Sequence, residues 1–577
     1  MQATKARQQR YGIRDLGLWT LLATLLIPGL AAAQEQRIDQ SIEVSIVNVD
    51  VQVTDKQGNR VKGLRAEDFE VREDGKLQPI TNFSEFSPAS TTASVAVDGT
   101  PAAVAPGAAP AEVAAPRARR TVVLFMEPVT LAGFRSKTLF DSIRSLMHQV
   151  VGKGDQVSIV TFVRRTRVRQ EFTDDLPTID RALDQLEKET TGVEGNPIDD
   201  NRRIVEEEVE QDEEFEKLAA DAGFALRSGP SFSAVVAARR QLFLIRQKVA
   251  AMETLMQTIS GVEGKKILIM ATRRLGLYAG AEFFGGTIPG EYRQELDTRV
   301  YRESLMRSAN AQGITIYAVH PEGLQWTAPD PSVSGNSRME SSLEDDLGRS
   351  GIDNLVLQNE SAALKEVAES TGGVTAWGSE NVAKLLPRLS DDLETYYSLG
   401  YRKPLTGRDS TRSIVVKTKN PAYVVRSRRQ VVEKSDATQM KDRVMANLFQ
   451  RVSNSSMGLP FDVVLGEVKK TGRNRWSVPL KIKVPIGKLT TLPKGRVEQG
   501  EFSVFVGTGG GLGVMSEVDR HAQPFELATD ELQRAKASHF TYEITLTVDQ
   551  LVDRLSIGVL DEVGKEYGLK RFTLPKR

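Results

Sequence analysis

Four apolar runs decide the fold class of this chain: TVVLFME (121–127), GDQVSIVTFVRRTRVRQEFTDD (154–175), GKKILIMATRR (264–274) and ANAQGITIYAVHPEGL (309–324). Each contains a short, nearly continuous apolar segment that ends in polar residues, which is typical of a strand buried on both faces. Segments with helical periodicity, such as SKTLFDSIRSLMHQVV (136–151), alternate with them. The alternation predicts an α/β fold with a doubly wound, Rossmann-like parallel sheet.

The order and the sequences of these runs resemble those of a von Willebrand factor A domain, and more closely those of the A-domain-related proteins of acidobacteria. The resemblance spans roughly residues 40–433 and includes the ending LETYYSLGYR (393–402). In metal-binding A domains the first strand runs into Asp-x-Ser-x-Ser and a later strand ends in Asp-Gly. This chain departs from both motifs, so the resemblance implies an A-type scaffold with a degenerate metal site.

The departures remove the ligands that a divalent cation needs. Val129 and Leu131 offer no side-chain oxygen where the first motif has serines, which leaves Glu127 as the one carboxylate there. At the second place Thr272 replaces a carboxylate, and Arg273 adds a positive charge beside it. A local charge near zero does not offset the dehydration of a dication. We therefore predict no metal in this cleft and no cofactor.

The cleft is predicted to bind a partner protein, since ligands of open α/β sheets bind at the carboxyl ends of the strands. Arg273 and Arg274 are suited to a bidentate pair with a partner's carboxylate. An internal ion pair between Arg273 and Glu127 is the alternative. Thr190 and Thr191 are suited either to the place of a threonine ligand or to capping the chain. The predicted cleft residues are Glu127, Thr130, Thr190, Thr191, Thr272, Arg273, Arg274 and His320.

The sequence predicts no catalytic site. None of its four histidines lies within metal-ligand spacing of another, and there is no G-x-S-x-G elbow. His320 ends a strand beside the predicted crevice, which leaves it a candidate ligand residue. The glycine run GTGGGLG (507–513) follows a strand in an all-β stretch, so it lacks the helix that a phosphate loop opens. We predict that the protein is not an enzyme.

Composition narrows the function further. The chain has 577 residues, too many for one core, and its 76 Lys and Arg balance its 76 Asp and Glu. A net charge of zero argues against steering to nucleic acid or to an anionic membrane. The chain has no cysteine, which excludes disulfides and thiolate metal sites.

Residues 1–33 are predicted to be a signal peptide. A basic segment precedes the apolar stretch 16–30, and Ala31-Ala32-Ala33 supplies a cleavage site. An uncleaved anchor is the alternative, since residues 16–33 reach roughly the minimum length of a membrane span. Cleavage would leave a secreted or periplasmic protein without stable membrane insertion.

Six further segments complete the predicted domain organisation. An N-terminal β unit occupies 34–86, and a disordered Ala/Pro-rich linker follows at 87–119. The A-like domain spans 120–394 and contains an acidic helical insertion at 195–247. Strands in 395–433 are predicted to pair with 34–86, and 434–577 to form an immunoglobulin-like β-sandwich.

These features favour an exported, non-enzymatic scaffold for adhesion or assembly, with another protein of the cell envelope as its partner. The sequence leaves the oligomeric state open. The alternatives are an envelope hydrolase with a site between domains, and a polysaccharide-binding protein. The latter requires Trp476 and Tyr542 to be exposed together on the C-terminal sandwich.

Overall fold

A computed structural model gives the fold. It describes residues 44–87, 90–94, 119–128, 136–152, 154–163, 165–191, parts of 208–222, 230–320, 342–376, 391–392, 395–404, 407–450, 458–510 and 515–574. The predicted signal peptide and residues 95–118 of the predicted linker lie outside these ranges. Within them, no helix combines the length and apolarity that crossing a membrane requires.

The first five strands precede the α/β part of the chain. They are β1 (Val44–Thr54), β2 (Phe69–Glu73), β3 (Lys76–Gln78), β4 (Asn82–Ser87) and β5 (Ser90–Ser94). Strand β5 corrects the predicted start of the linker at residue 87, because it pairs antiparallel with β4. Its sequence STTAS contains neither Gly nor Pro, and a neighbouring strand is enough to order it.

The middle of the chain is an α/β unit. Its strands are β6 (Arg120–Met126), β7 (Gln156–Phe162), β8 (Thr166–Thr173), β9 (Lys265–Ala271), β10 (Ile314–Val319) and β11 (Thr375–Ala376). Its helices are α1 (Ser136–Val150), α2 (Leu176–Thr191), α3 (Phe232–Ser260), α4 (Arg293–Leu296), α5 (Arg299–Ala311) and α6 (Ser342–Ser370). The sheet order is β11-β10-β9-β6-β7-β8, and only β8 runs antiparallel to its neighbour.

Helices cover both faces of this sheet. Apolar residues of α1 and α2 form one core with the sheet, and those of α3, α5 and α6 form a second core on the other face. Strand β6 is buried along its whole length, as expected for a central strand between two helical layers. The chain is therefore a mixed α/β protein with several sheets, in agreement with the predicted class.

Helix α3 corrects the predicted insertion, which was placed at 195–247. Residues 232–260 form one continuous helix, so residue 247 lies in its interior. The Ser231 side chain accepts a hydrogen bond from the backbone N–H of Ala234 and caps the helix start. A buried stripe from Ala234 to Ile259 then packs the whole length of the helix on the sheet.

Four strands after the α/β unit complete a sandwich with the first five. They are β12 (Tyr396–Pro404), β13 (Ser410–Thr418), β14 (Val424–Ser427) and β15 (Gln430–Glu433). One sheet has the order β14-β1-β12-β4-β5 and the other β15-β13-β2-β3. Val49, Val51, Phe69, Tyr397 and Leu399 lie in the shared core. The α/β unit is thus inserted into a sandwich built from its two flanks.

A buried carboxylate at the end of the α/β unit forms ion pairs with residues of both segments that build the first sandwich. Asp392, which is 1% exposed, forms ion pairs with Arg60 and Arg426. Arg426 binds it in bidentate fashion, with both nitrogen–oxygen distances at 2.8 Å. Arg60 follows β1, whereas Arg426 lies in β14, so one side chain connects three separate segments of the chain.

The remaining residues form a helix and a second sandwich. The elements are α7 (Asp436–Phe449), β16 (Asp462–Leu465), β17 (Lys469–Gly472), β18 (Arg475–Pro485), β19 (Leu492–Lys494), β20 (Val497–Gly510), β21 (Asp519–Ala528), α8 (Leu532–Ala535), β22 (His539–Asp549), β23 (Val552–Asp561) and β24 (Tyr567–Thr573). One sheet contains β16, β17, β18 and β22, and the other contains β19, β20, β21, β23 and β24.

Helix α7 joins this sandwich to the α/β unit. Its buried Met440 and Val444 pack on Phe505 and Leu560 of the sandwich. On the other side it approaches the end of α3 so closely that a Cβ at Gly261 would lie 2.4 Å from the Cα of Arg443. Only glycine fits at that contact.

Trp476 and Tyr542 do not form one exposed aromatic platform. Trp476 faces Val548, whereas Tyr542 faces Ile482, about 20 Å further along β18 at the usual rise of a strand. Both rings are half-buried against the core of the second sandwich. The arrangement required by the polysaccharide-binding alternative is therefore absent from this pair.

Candidate functional site

The strand ends of the α/β unit bring three predicted cleft residues to one edge of the sheet. Glu127 follows β6, Thr272 follows β9 and His320 follows β10. Backbone hydrogen bonds continue the sheet beyond the strand ends, from Glu127 to the Ala271 carbonyl (3.2 Å) and from Thr272 to the Val319 carbonyl (3.3 Å). The three side chains are therefore positioned by the sheet itself.

A lysine ammonium fills the centre of this edge. Lys248 of α3 is 3% exposed, and its Nζ donates to Glu127 Oε2 (2.9 Å), to Thr272 Oγ1 (3.0 Å) and to the Arg273 carbonyl (2.5 Å). The Thr272 hydroxyl in turn donates to Glu127 Oε2 at 2.7 Å. The three donors of the ammonium thus meet three acceptors.

This donor set does not fit a divalent cation. A dication at the edge would need the Glu127 carboxylate and the Thr272 hydroxyl, and both already bind Lys248. A second positive charge would lie a few ångströms from the ammonium, where like charges repel strongly in a site shielded from water. The residues present supply an internal cation in place of a metal.

A buried histidine–glutamate pair lies beside the lysine site. His320 Nε2 is 2.8 Å from Glu360 Oε2 of α6, and both residues are at least 98% buried. Burial opposes the charged form of Glu360. The hydrogen bond from His320 and the electrostatic interactions with His320, Arg273 and Arg274 outweigh burial, and they lower the pKa of Glu360 to about 2. Glu360 is therefore ionised throughout the physiological range.

This pair predicts a loss of stability in acid. The folded-state pKa of Glu360 is depressed from 4.5 to about 2, so its contribution is complete above pH 4.5 and is lost as the pH falls toward 2. The loss amounts to about 3 kcal/mol at most. Urea unfolding between pH 2 and pH 6 should show a shallower acid decline for Glu360→Gln than for the parent chain. Equal slopes in the two proteins would contradict the ionised pair.

The two arginines after Thr272 differ in environment. Arg273 is buried, whereas Arg274 is partly exposed and has a left-handed backbone with φ of 57°. That conformation is uncommon for a residue other than glycine. Arg274 lines a cavity of about 320 Å³ together with Phe232, Val236 and Arg240 of α3. Phe232 is 78% exposed and Val236 is 46% exposed, so this cavity, called the mouth below, combines apolar surface with Arg240, Arg274 and the carboxylate of Glu208.

The other predicted cleft residues have different places. The Thr190 hydroxyl donates to the carbonyls of Leu186 and Glu187 in its own helix, at 3.0 and 2.9 Å. Thr191 is the last residue of α2. Thr130 lies outside the described residues, as do Val129 and Leu131. The predicted pair between Arg273 and Glu127 stays a prediction.

Sequence reasoning missed Lys248 and Glu360. Lys248 stands within the buried stripe of α3, between Ile245 and Met252, where a charged residue is unexpected. Glu360 lies within α6 and is 2% exposed. A charged residue at a core position of a helix was the available signal for both.

Comparisons with known proteins leave the family open. No family model matches the chain, and no curated protein does. Among solved structures, an aerotolerance-related membrane protein of Bacteroides fragilis is 13% identical, with a TM-score of 0.21, over 48% of this chain and 98% of that one. BatB of Bacteroides thetaiotaomicron is 11% identical, with a TM-score of 0.20, over 48% and 97%. Proximal thread matrix protein 1 of the mussel byssus is 11% identical, with a TM-score of 0.20, over 50% and 48%. Sequence identities and TM-scores this low support no conclusion about function.

Proposed function

We propose that this chain is an exported, non-enzymatic scaffold of the von Willebrand factor A type, and that its crevice binds another protein of the cell envelope without a metal. The observation that carries the proposal is the ammonium of Lys248 bound to Glu127, Thr272 and the Arg273 carbonyl. An edge with an internal cation keeps the A-type scaffold rigid but has no open coordination position. A partner must then be recognised by side chains at the mouth.

The mouth has the chemistry of a protein-binding surface. Phe232 and Val236 expose apolar area beside Arg240 and Arg274 in one cavity. Aromatic residues and arginines are enriched at protein interfaces. A partner segment with an apolar side chain next to a carboxylate fits this combination.

The hydrolase alternative has one feature in its favour, the pair of His320 and Glu360 at 2.8 Å. A general base must reach its substrate within hydrogen-bond distance. His320 is 0% exposed in the described part of the chain. The burial of the pair supports a structural role, so we retain the non-enzymatic proposal.

Partner capture should be independent of chelator. The chain lacking residues 1–33, immobilised and exposed to an envelope extract, should retain the same partner with and without EDTA. The double variant Phe232→Ala/Arg274→Ala should reduce capture by about 30-fold or more, since a charge-assisted contact loses about 2–5 kcal/mol when one side is removed. Quantitative mass spectrometry of the eluates measures both effects.

Arg307→Ala provides the matched control. Arg307 lies on α5, its side chain is 57% exposed, and among the described residues its ion pair is with Glu303, one helical turn away, at 3.6 Å. Its removal should leave capture unchanged. Capture that disappears in EDTA, or that survives in the Phe232→Ala/Arg274→Ala variant, would refute the proposed binding mode.

A further inference from the structure

A polar cavity lies at the opposite end of the parallel sheet from the crevice. Its volume is about 400 Å³, within the range of small-molecule sites. One wall is the start of β9 and β10, which contributes Lys265, Lys266 and Thr315. The facing wall belongs to the first sandwich, so the cavity separates the α/β unit from the sheet that its flanks build.

Strand β1 explains why the facing wall is polar. Val49, Val51 and Val53 point into the sandwich core. The alternate residues Asn48, Asp50 and Gln52 line the cavity instead. In an ordinary sandwich the polar face of such a strand meets solvent. Here it faces the α/β unit across a polar cavity that is partly open to solvent.

The cavity carries an excess of positive charge. Lys265, Lys266 and Arg428 line it, against one carboxylate, that of Asp50. Among the described residues, none of the three cations forms an ion pair with a carboxylate. Neutral groups hold them instead. Lys266 donates to the carbonyls of Ser260 and Val262, and Lys265 lies 3.8 Å above the Tyr396 ring.

The electrostatics agree with this excess. The pKa of Lys265 is lowered to about 8, chiefly by burial and also by the nearby Arg60 and Arg426, while Asp50 acts in the opposite direction. A buried cation in such surroundings is stabilised by an anion. The single carboxylate of Asp50 does not balance the lining, which leaves the cavity attractive to a negatively charged ligand.

Two lining groups also have unused hydrogen-bonding capacity. Asn310 is 3% exposed, and its Oδ1 has no partner among the described residues, although its Nδ2 donates to the Met306 carbonyl at 2.9 Å. Arg428 Nε is likewise buried and without a partner in the described part of the chain. One group is an acceptor and the other is a donor. A ligand that satisfies both must carry a hydrogen-bond donor, such as a hydroxyl, as well as an acceptor, for which an anionic oxygen suits the positively charged lining.

We propose that this cavity binds a small hydroxylated oxyanion, either a hydroxycarboxylate or a phosphate that retains a hydroxyl. The anionic oxygens accept from Arg428 Nε and face the two lysines. The hydroxyl donates to Asn310 Oδ1. Bound in this way, the ligand connects the α/β unit to the first sandwich. The site is independent of the Lys248 crevice, so either proposal can fail alone.

Isothermal titration calorimetry on the chain lacking residues 1–33 tests the site. Phosphate and gluconate are the two probes, with acetate and chloride at matched ionic strength as comparisons. At least one probe should bind saturably at one site per chain, and acetate, which lacks a hydroxyl, should bind about tenfold more weakly. Phosphate binding alone identifies a phosphate site, whereas gluconate binding alone identifies a hydroxycarboxylate site.

Two variants should change the affinity in opposite directions, and a third is the control. Asp50→Asn removes the one negative charge of the lining and should tighten binding by about tenfold, the effect of roughly one pKa unit of charge interaction. Arg428→Gln should weaken binding by tenfold or more. Arg429→Gln is the control, because Arg429 is 63% exposed in its side chain and pairs with Glu369 at 3.8 Å outside the cavity.

Two outcomes of these measurements would contradict the proposed anion site. No saturable binding of either probe to the parent chain and to Asp50→Asn would overturn the proposal. Equal affinities of Arg428→Gln and Arg429→Gln would also overturn it. If Arg428→Gln does not fold, Asp50→Asn alone is the test: an increase in affinity supports the proposal, and an unchanged affinity contradicts it.

Discussion

Lys248→Met should lower the free energy of unfolding by about 3–5 kcal/mol, the usual effect of removing one partner from a buried ion pair. Methionine keeps the length and apolar stem of lysine but lacks the ammonium. The variant leaves the carboxylate of Glu127, whose side chain is 13% exposed, without the cation that lies 2.9 Å away in the parent. It also leaves the Arg273 carbonyl without that donor. Urea unfolding followed by circular dichroism measures the change.

Two further variants separate lost charge pairing from lost packing. Glu127→Gln combined with Lys248→Met should be more stable than Lys248→Met alone, because the carboxylate that loses the ammonium is then neutral as well. Lys137→Met is the surface control, since Lys137 is 73% exposed and pairs with Asp141 at 3.0 Å on α1. Its effect should stay below about 0.5 kcal/mol. A loss of less than 1 kcal/mol in Lys248→Met would show that the ammonium does not bind at the sheet edge.

Asp392→Asn should have an effect of similar size, about 3–5 kcal/mol. Asp392 is 1% exposed and accepts from two arginines, Arg60 and Arg426. Asparagine retains the shape of aspartate but not its charge, so both guanidinium groups lose their counter-ion at a site that is almost completely shielded from water. Because the arginines belong to the two flanks of the α/β unit, the first sandwich should unfold at lower denaturant concentration.

Site-resolved hydrogen exchange identifies where the stability is lost in Asp392→Asn. Amides of β1 and β12 should lose protection, whereas those of β20 and β23 in the second sandwich should keep it. Asp141→Asn serves as the exposed counterpart, with a side chain that is 52% exposed. Uniform loss of protection in both sandwiches, or none in either, would contradict a local stabilisation of the first sandwich by Asp392.

The sequence predicted the parts of the fold that depend on burial patterns. The runs at 121–127 and 264–274 are apolar because both faces of their strands are covered by helices, and this pattern does not depend on distant contacts. Strand β5 was missed for the opposite reason. Ser90–Ser94 has no apolar alternation, and its order comes from pairing with β4.

The candidate site was predictable only in part. Glu127, Thr272 and His320 were identified because they follow strands, and strand ends in a parallel sheet share one edge. Their actual partners, Lys248 and Glu360, belong to helices that pack against that edge. Which helical residue reaches a given strand end depends on how the helix docks, and local patterns do not contain that information.

The insertion of the α/β unit into the first sandwich also favours one order of folding. Val47 pairs with Tyr401, and closing a flexible loop of about 350 residues costs about 5 kcal/mol of chain entropy. Prior folding of the insertion removes most of this cost, because its two ends then converge on one residue. The Lys265 amide binds the Arg119 carbonyl at 3.0 Å, and the Lys265 ammonium lies over the Tyr396 ring. We therefore expect strand β1 to pair with β12 after the insertion has folded, so that folding of the α/β unit limits the rate at which the first sandwich forms.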